Sequence, residues 1–404
     1  MTERIVIIGA GQAGVQAAIS LRQSGYKGAI TMIGAEEAPP YQRPPLSKAY
    51  LKGELDEHRL YLRPAEFYET QSIDLLIGTR ATVIDRKAKI VLTDADGDHP
   101  YDALLIATGA PPRKLNASGA DLGGVHYLRT LADSESLRPL LAAPGRIVIV
   151  GAGYIGLEVA AVARREGRDV TVLEMAPRVL ARVASEPVSA FYETLHRDAG
   201  VDLRLGAALE GFAGETRIHG ARMASGDVIE CIAALVGIGA APELSLASDA
   251  GLAVENGIVV DEYARTSDPS IFAAGDCTNF PSPRYGRRMR LESVPNAIEQ
   301  AKAAAVNMIG KETIYDALPW FWSDQFDVKL QTVGLSEGHD DFVVRGRPEE
   351  KKFAVWYLKD GKALAVDAIN DPVSFAMGKK LILSGVALDA QQLGDVSVDL
   401  KTLA

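Results

Sequence analysis

Two stretches of the chain carry the same hydrophobic pattern. Ile5-Val6-Ile7-Ile8 and Ile147-Val148-Ile149-Val150 are short unbroken apolar runs, the signature of buried strands. Each runs into glycines and then into a segment with apolar residues at helical spacing. The first pattern predicts a strand over 4–8, a helix over about 12–24 and a strand over about 29–33. Val15, Ala18, Ile19 and Leu21 form the apolar stripe of that helix, and Gly25 stands where its C-terminal cap belongs. The second pattern repeats the first: strand 146–150, helix about 154–166 closed by Gly167, strand 169–173. The architecture is internally duplicated.

Other segments fill in the plan. Residues 37–47, rich in proline, read as a loop that no central strand could accommodate. Ile90–Thr93 and Ala103–Ala107 read as two strands joined by the turn Asp94-Ala95-Asp96-Gly97. Ala107-Thr108-Gly109 and then Pro111-Pro112 mark a domain exit. Ala233–Val236 reads as the last strand of the second unit, with Gly237-Ile238-Gly239 as its exit loop. Ile271–Ala274 reads as a strand ending at Gly275-Asp276, and a helix runs from Pro295 to about Met308 with proline in its first turn. From Trp320 the texture changes. Phe353–Leu358 and Lys362–Ala368 flank Asp360-Gly361, a strong hairpin signal. A small α+β domain of roughly 85 residues fits this region.

Composition narrows the class. With 404 residues the chain holds two or three domains, and 47% hydrophobic with 24% charged residues is a globular balance. A net charge of −10 argues against a general nucleic-acid binder, which needs a basic footprint. No apolar run of about 18 residues occurs, so no membrane span is expected. The chain enters a strand almost at once, and a cytoplasmic location is the expectation. The only cysteines are Cys231 and Cys277, too few for a cluster of its own and not spaced as a redox pair; no metal site is expected. Cys277 reads as a small packing residue beside Asp276.

The glycines carry the chemistry. Gly9-Ala10-Gly11-Gln12-Ala13-Gly14 and Gly151-Ala152-Gly153-Tyr154-Ile155-Gly156 both follow a strand and open a helix. Such turns let backbone approach a pyrophosphate and aim helix N–H groups at it. One copy is weak evidence; two in matching contexts point to two dinucleotides and an electron-transfer flavoprotein. An acid at the end of the next strand should hold a ribose. Glu36, with Glu37 beside it, fills that place in the first unit and Glu174 in the second. A carboxylate there repels a 2′-phosphate and so favours NADH over NADPH, although Arg178 and Arg182 follow closely.

At this point the chain resembles a known family. Its markers are Pro44-Pro45-Leu46-Ser47-Lys48, Ala107-Thr108-Gly109, Tyr127-Leu128-Arg129-Thr130, Gly151 to Glu158, Gly275-Asp276-Cys277, Glu292 to Ala297 and Trp320 to Gln325. Together they resemble the FAD-dependent NADH:ferredoxin reductases of bacterial oxygenase systems, within them the putidaredoxin-reductase-like group that feeds cytochrome P-450 enzymes. The resemblance implies an α/β fold with two Rossmann-like dinucleotide-binding domains, glutathione-reductase-like, plus the C-terminal α+β domain. It implies an FAD-binding domain over 1–112 and 244–319, an NAD-binding domain over 113–243 and a partner-facing domain over 320–404.

The resemblance also assigns residues. For FAD it implies Gly9, Gly11 and Gly14 at the pyrophosphate, Glu36 at the adenosine ribose, and Arg43, Pro45, Lys48, Ala107, Thr108, Gly109 and Arg129. Gly275 and Asp276 at the ribityl chain, and Val294 and Trp322 near the ring, complete that set. Glu36 stands one position later than the family's usual acid, where this chain has Ala35. For NADH it implies Gly151, Gly153, Tyr154, Ile155, Gly156, Glu174, Arg182, Gly237, Ile238 and Gly239. Lys48, Glu158 and Trp322 are expected nearest the chemistry, with Glu158 bonding the nicotinamide amide and pairing with Lys48. The helix at Val294–Pro295 has a physical case besides: its free N–H groups and positive dipole end suit the negative charge of reduced flavin near N1 and O2.

Hydride transfer from nicotinamide to flavin demands no general acid or base, and the flavin can then release single electrons. The expected acceptor is a [2Fe–2S] ferredoxin. An acidic partner would dock on local cations, with Arg63, Arg284, Arg287, Arg288, Arg290, Lys302, Lys379 and Lys380 as candidates. A monomer or weak homodimer is expected. A reductase for a Rieske dioxygenase system, a rubredoxin reductase, or an NADH-responsive flavoprotein acting by complex formation, like apoptosis-inducing factors, remain open alternatives.

Overall fold

The computed structural model describes residues 2–95 and 97–403. The chain divides into two compact units. The first comprises the residues up to Arg43, Asp56–Pro111 and Ala240–Ala317; the second comprises Pro44–Leu55, Pro112–Gly239 and the residues from Leu318 on.

In the first unit the apolar runs become a five-stranded parallel sheet. Its order is Ile271–Ala273, Ala103–Ile106, Arg4–Ile8, Ala29–Ile33, Ile73–Leu76. Strands buried on both faces have no need to alternate, which is why these read as continuous hydrophobic runs. The helices Gln12–Gln23 and Val294–Met308 share one core with this sheet. Ala13, Ala17 and Ala18 on one helix and Ala297, Ala301, Ala304 and Ala305 on the other are buried there. Small side chains let helix backbones come close.

One expectation needs correction. Ile90–Thr93 and Ala103–Ile106 do not pair with each other. Ile90–Thr93 lies between Ala81–Asp85 and Asp98–Pro100 in a separate antiparallel sheet, while Ala103–Ile106 enters the parallel sheet beside Arg4–Ile8. The turn after Thr93 therefore leads to Asp98–Pro100, whose residues carry no strand signal; Asp96 of that turn lies outside the described residues.

The second unit repeats that order over four strands, Asp202–Leu205, Asp169–Glu174, Arg146–Val150 and Ala233–Val236, and its parallel sheet ends on Val125–His126, which precedes them in the chain. The helix Tyr154–Arg165 follows its central strand. A second sheet is antiparallel, ordered Trp320–Gln325, Val328–Gly334, Lys362–Ile369, Lys352–Lys359, Asp341–Arg347, and the helix Pro372–Ser384 packs on it. The hairpin at Asp360-Gly361 forms as its sequence requires, with Asp360 at φ 50° and Gly361 at φ 69°. Pro44–Leu55 is fastened within this unit: Ser134 Oγ donates to the carbonyl of Leu46 at 2.8 Å, and Tyr50 donates to Glu135 at 3.2 Å.

Two glycine turns and a buried carboxylate

The two glycine turns are built alike. Gly9 has φ +112°, and a Cβ there would lie 2.2 Å from the carbonyl oxygen of Ala107. Gly151 has φ +105°, and its Cβ would lie 2.5 Å from the carbonyl oxygen of Gly237. Ala107-Thr108-Gly109 and Gly237-Ile238-Gly239 are thus equivalent exit loops, each pressed on the first glycine of its turn. Cβ atoms at Gly14 and Gly156 would strike the carbonyl oxygens of Gly9 and Gly151 at 1.9 and 2.3 Å, so only glycine lets each helix close on its strand. Gly11 and Gly153 differ. A Cβ at either would meet no atom within 4 Å. Nothing in the fold requires glycine there, but a group approaching the turn would.

Backbone donors of two helix starts lie at these glycines. The helices Gln12–Gln23 and Tyr154–Arg165 begin at Gly11 and Gly153 with no side-chain cap. By contrast Thr130, Ser293 and Asp371 cap their helices with side-chain oxygens. An uncapped N-terminus leaves N–H groups and a partial positive charge for an anion. Both turns fit a pyrophosphate.

The strand-end acids are not idle. Glu174 Oε2 accepts the N–H of Ala152 at 2.8 Å and Oε1 accepts that of Ala176 at 2.8 Å, tying the acid to the glycine turn. Arg178 spends its guanidinium on Ala184 O at 2.7 Å, Ser189 Oγ at 2.6 Å and Ala181 O at 2.9 Å. It is therefore committed to the protein. Arg182 is exposed, with its guanidinium against Gly239. In the first unit Glu36 accepts from Tyr41 and, at 2.5 Å, from Arg43. Burial opposes the charge of Arg43, but Tyr41 and Glu36 outweigh it and hold the guanidinium above its usual pKa.

Gly275 carries φ +87°, and Gln300 Oε1 accepts its N–H and the Thr278 hydroxyl, each at 2.8 Å. Asp276 follows, partly buried. The helix from Val294 narrows one expectation. Pro295 has no N–H, the N–H of Asn296 goes to Ser293 Oγ at 3.2 Å and that of Ala297 to Ser293 O at 3.0 Å. Of the first four residues only Val294 has an N–H left without a hydrogen bond among the described residues.

Pro45, Lys48, Arg129 and Trp322 belong to the second unit. Arg129 donates its backbone N–H to the capping carboxylate of Asp133 at 2.9 Å. Trp322 stacks against Trp320 with ring centres 5.6 Å apart, and Tyr154 against Phe321 at 4.6 Å. Burial pushes the Tyr154 phenol well above its ordinary pKa, so it stays a neutral donor. Pro45 opens its carbonyl to the N–H of Lys48 at 3.0 Å in a tight turn.

Glu158 accepts three side-chain hydrogen bonds. It is 4% exposed on the helix Tyr154–Arg165. Its Oε2 accepts from Ser47 Oγ at 2.5 Å and from Lys48 Nζ at 2.7 Å, and its Oε1 accepts from Ser323 Oγ at 2.6 Å. A buried carboxylate is tolerable only with such partners. Ser47 and Ser323 escaped the sequence reading; the only signal was their place inside marker segments.

Cys231 and Cys277 are free and buried, and burial raises both thiols, Cys231 to about 11. Neither is poised as a thiolate. Of the candidate docking cations, Arg288 donates to the carbonyls of Val260 at 2.7 Å and Asn279, and Arg290 pairs with Glu292 at 2.5 Å. Both are held by the protein itself. Arg63 lies over Phe67, Arg284 and Lys302 pair with Asp316 and Glu299, and Lys379 lies over Trp320 and Phe375. No helix of the described residues is long and apolar enough to cross a membrane.

Comparison with known proteins decides the family. Residues 3–301 match the pyridine nucleotide-disulphide oxidoreductase model and residues 320–404 the reductase C-terminal model. The chain belongs to the pyridine nucleotide-disulphide oxidoreductase family. The family is one of flavoprotein oxidoreductases working with FAD and NADH. Putidaredoxin reductase CamA of Pseudomonas putida is 45% identical over 99% of this chain and 96% of that protein. Among solved structures, the ferredoxin reductase for the CYP199A2 system from Rhodopseudomonas palustris has a TM-score of 0.97 at 42% identity, covering 100% of both chains. The covalent putidaredoxin reductase–putidaredoxin complex has a TM-score of 0.96 at 46% identity, covering 99% of this chain and 98% of that one. This chain has the family's fold, while its two buried thiols offer no redox disulfide.

Proposed function

We propose that this protein is an NADH-dependent, FAD-containing ferredoxin reductase that supplies electrons through a [2Fe–2S] ferredoxin to a cytochrome P-450 monooxygenase. The observation that carries the reading is the pair of uncapped glycine turns, each with an acid at the end of the next strand. The acceptor is argued from the relatives, one of them solved in covalent complex with its ferredoxin and another serving a CYP199A2 system. NADH is a cytosolic coenzyme, and the reading puts the protein in the cytosol.

Bound to such a protein, flavin accepts a hydride from NADH and passes electrons on singly. The chain's own residues have the supporting tasks. Gly11 and Gly153 leave room for the pyrophosphates, and the helix N–H groups behind them supply donors. Glu36, held by Tyr41 and Arg43, accepts from the adenosine ribose of FAD; Glu174 does so for NADH and repels a 2′-phosphate. Ala107, Thr108, Gly109, Gly275 and Asp276 line the flavin's path in the first unit, and Val294 offers its free N–H to developing negative charge. Pro45, Arg129 and Trp322 pack or bond the same cofactor. Tyr154, Ile155, Arg182 and Gly237 to Gly239 border the NADH. Glu158 takes a hydrogen bond from the nicotinamide carboxamide, and Lys48 balances its charge.

Cytochrome c reduction driven by NADH tests the acceptor. A rate that depends on added [2Fe–2S] ferredoxin is the expected result. Electron delivery to a rubredoxin but to no [2Fe–2S] ferredoxin would overturn it. A long-lived NADH complex with no acceptor-driven turnover would favour a protein acting by complex formation instead.

A further inference from the structure

Behind Glu158, inside the second unit, lies a chain of polar side chains that no cofactor contact accounts for. Ser323 Oγ donates to Glu158 Oε1 at 2.6 Å, Gln325 Nε2 donates to Ser323 Oγ at 3.2 Å, and His196 Nε2 lies 2.9 Å from Gln325 Oε1. Ser323, Gln325 and His196 are each 0% exposed. They come from the strand Trp320–Gln325 and the helix Glu186–Asp198.

The direction of every bond follows from the carboxylate. It can only accept, so Ser323 must donate to it. The Ser323 oxygen then takes its bond from the amide nitrogen of Gln325. That turns the amide oxygen of Gln325 toward His196, which must carry its proton on Nε2. His196 Nδ1 is buried with no partner, as suits a ring whose one proton sits on the other nitrogen. All three donors are thus oriented toward Glu158, and such chains polarise one another.

A glutamate needs this help because its terminal torsion is soft. Ser47 and Lys48 both bond Oε2, so without a donor on Oε1 the twist of the carboxylate about its soft terminal torsion is set through one oxygen alone. Among the described residues, Ser323 alone holds Oε1. We propose that Ser323, Gln325 and His196 are positioning residues: through one directed hydrogen-bond chain they fix the plane of the Glu158 carboxylate for the nicotinamide carboxamide. The inference rests on the reading of Glu158 given above. Small losses of orientation are costly in hydride transfer, where a displacement of about 1 Å costs on the order of a hundredfold.

The test uses the flavin-loaded protein, mixed anaerobically with NADH. Ser323→Ala should slow the limiting rate of flavin reduction roughly tenfold, with the apparent NADH affinity nearly unchanged. Ser323→Thr, which keeps the hydroxyl, should retain most of the rate. A wild-type limiting rate in Ser323→Ala, or an equal loss in both variants, overturns the proposal. Glu158→Gln separates the two readings. If it is as fast as the wild type, the role of Glu158 fails; if it is slow while Ser323→Ala is fast, only the positioning role fails. Should Ser323→Ala not fold, nitrogen NMR of the wild-type imidazoles decides. A neutral His196 protonated on Nε2 is expected, and a proton on Nδ1 or an imidazolium at neutral pH overturns the chain.

Discussion

Glu174 holds the N–H of Ala152 at 2.8 Å, so the acid proposed to hold the coenzyme ribose also ties down the glycine turn. Charge and support therefore separate in a chosen variant. Glu174→Gln keeps an acceptor oxygen for Ala152 but loses the charge that opposes a 2′-phosphate. The NADH-over-NADPH ratio of kcat/KM should fall roughly tenfold, the equivalent of about 1.4 kcal/mol, with NADH turnover largely kept. Glu174→Ala should in addition weaken NADH, because the turn loses its tie. Unchanged preference in Glu174→Gln would remove the charge from the specificity.

Two glycines of the first turn, Gly11 and Gly14, should answer differently to alanine. At Gly14 the added carbon would sit 1.9 Å from the backbone oxygen of Gly9, so Gly14→Ala should disrupt the fold itself. At Gly11 it would meet nothing within 4 Å. Gly11→Ala should then fold normally and hold flavin weakly. Flavin content after dialysis, beside the circular dichroism spectrum, reads both outcomes. Full flavin retention in Gly11→Ala would show that nothing approaches that turn.

Removing Lys48 leaves Glu158 buried with two hydroxyl donors and no counter-charge. Lys48→Met should cost about 3 kcal/mol in denaturant unfolding. Much of that loss should disappear when Glu158→Gln is added, since no buried charge then remains. A purely additive pair of losses would mean that the two residues do not depend on each other.

What the sequence makes legible is local. Within each unit the apolar run, its glycines and its acid, Ile5–Ile8 to Glu36 and Ile147–Val150 to Glu174, sit within about thirty residues of one another, and each constrains the next through short-range geometry. An Asp-Gly turn between two apolar runs reads as a hairpin joining Ile90–Thr93 to Ala103–Ile106, and the two do not pair. The unbroken hydrophobicity of Ala103–Ile106 already suited a central parallel strand better than a hairpin arm. Ser323, Gln325 and His196 were out of reach for another reason. A buried polar residue on a strand or helix breaks no pattern strongly, and its partners lie 129 and 165 positions away in sequence.

His196 also links stability to pH. Burial, against a small opposing effect of the Gln325 bond, pushes its pKa down from 6.5 to about 4. The unfolded ring takes up a proton near pH 6.5 while the folded ring resists until about pH 4. Its stabilising effect is complete above pH 6.5 and is lost progressively as pH falls through that window, on the order of 3 kcal/mol in all. Urea midpoints at pH 7 and pH 4.5 should therefore differ less in His196→Gln than in the wild type. An equal difference would place the acid sensitivity elsewhere.

The most direct measurement is anaerobic rapid mixing of the yellow, flavin-loaded protein with NADH and, in parallel, with NADPH. NADH should bleach the flavin in a fast step and NADPH in a much slower one, with ferredoxin then restoring the colour. A flavin untouched by NADH, or one bleached faster by NADPH, would contradict the assignment of the two turns to FAD and NADH.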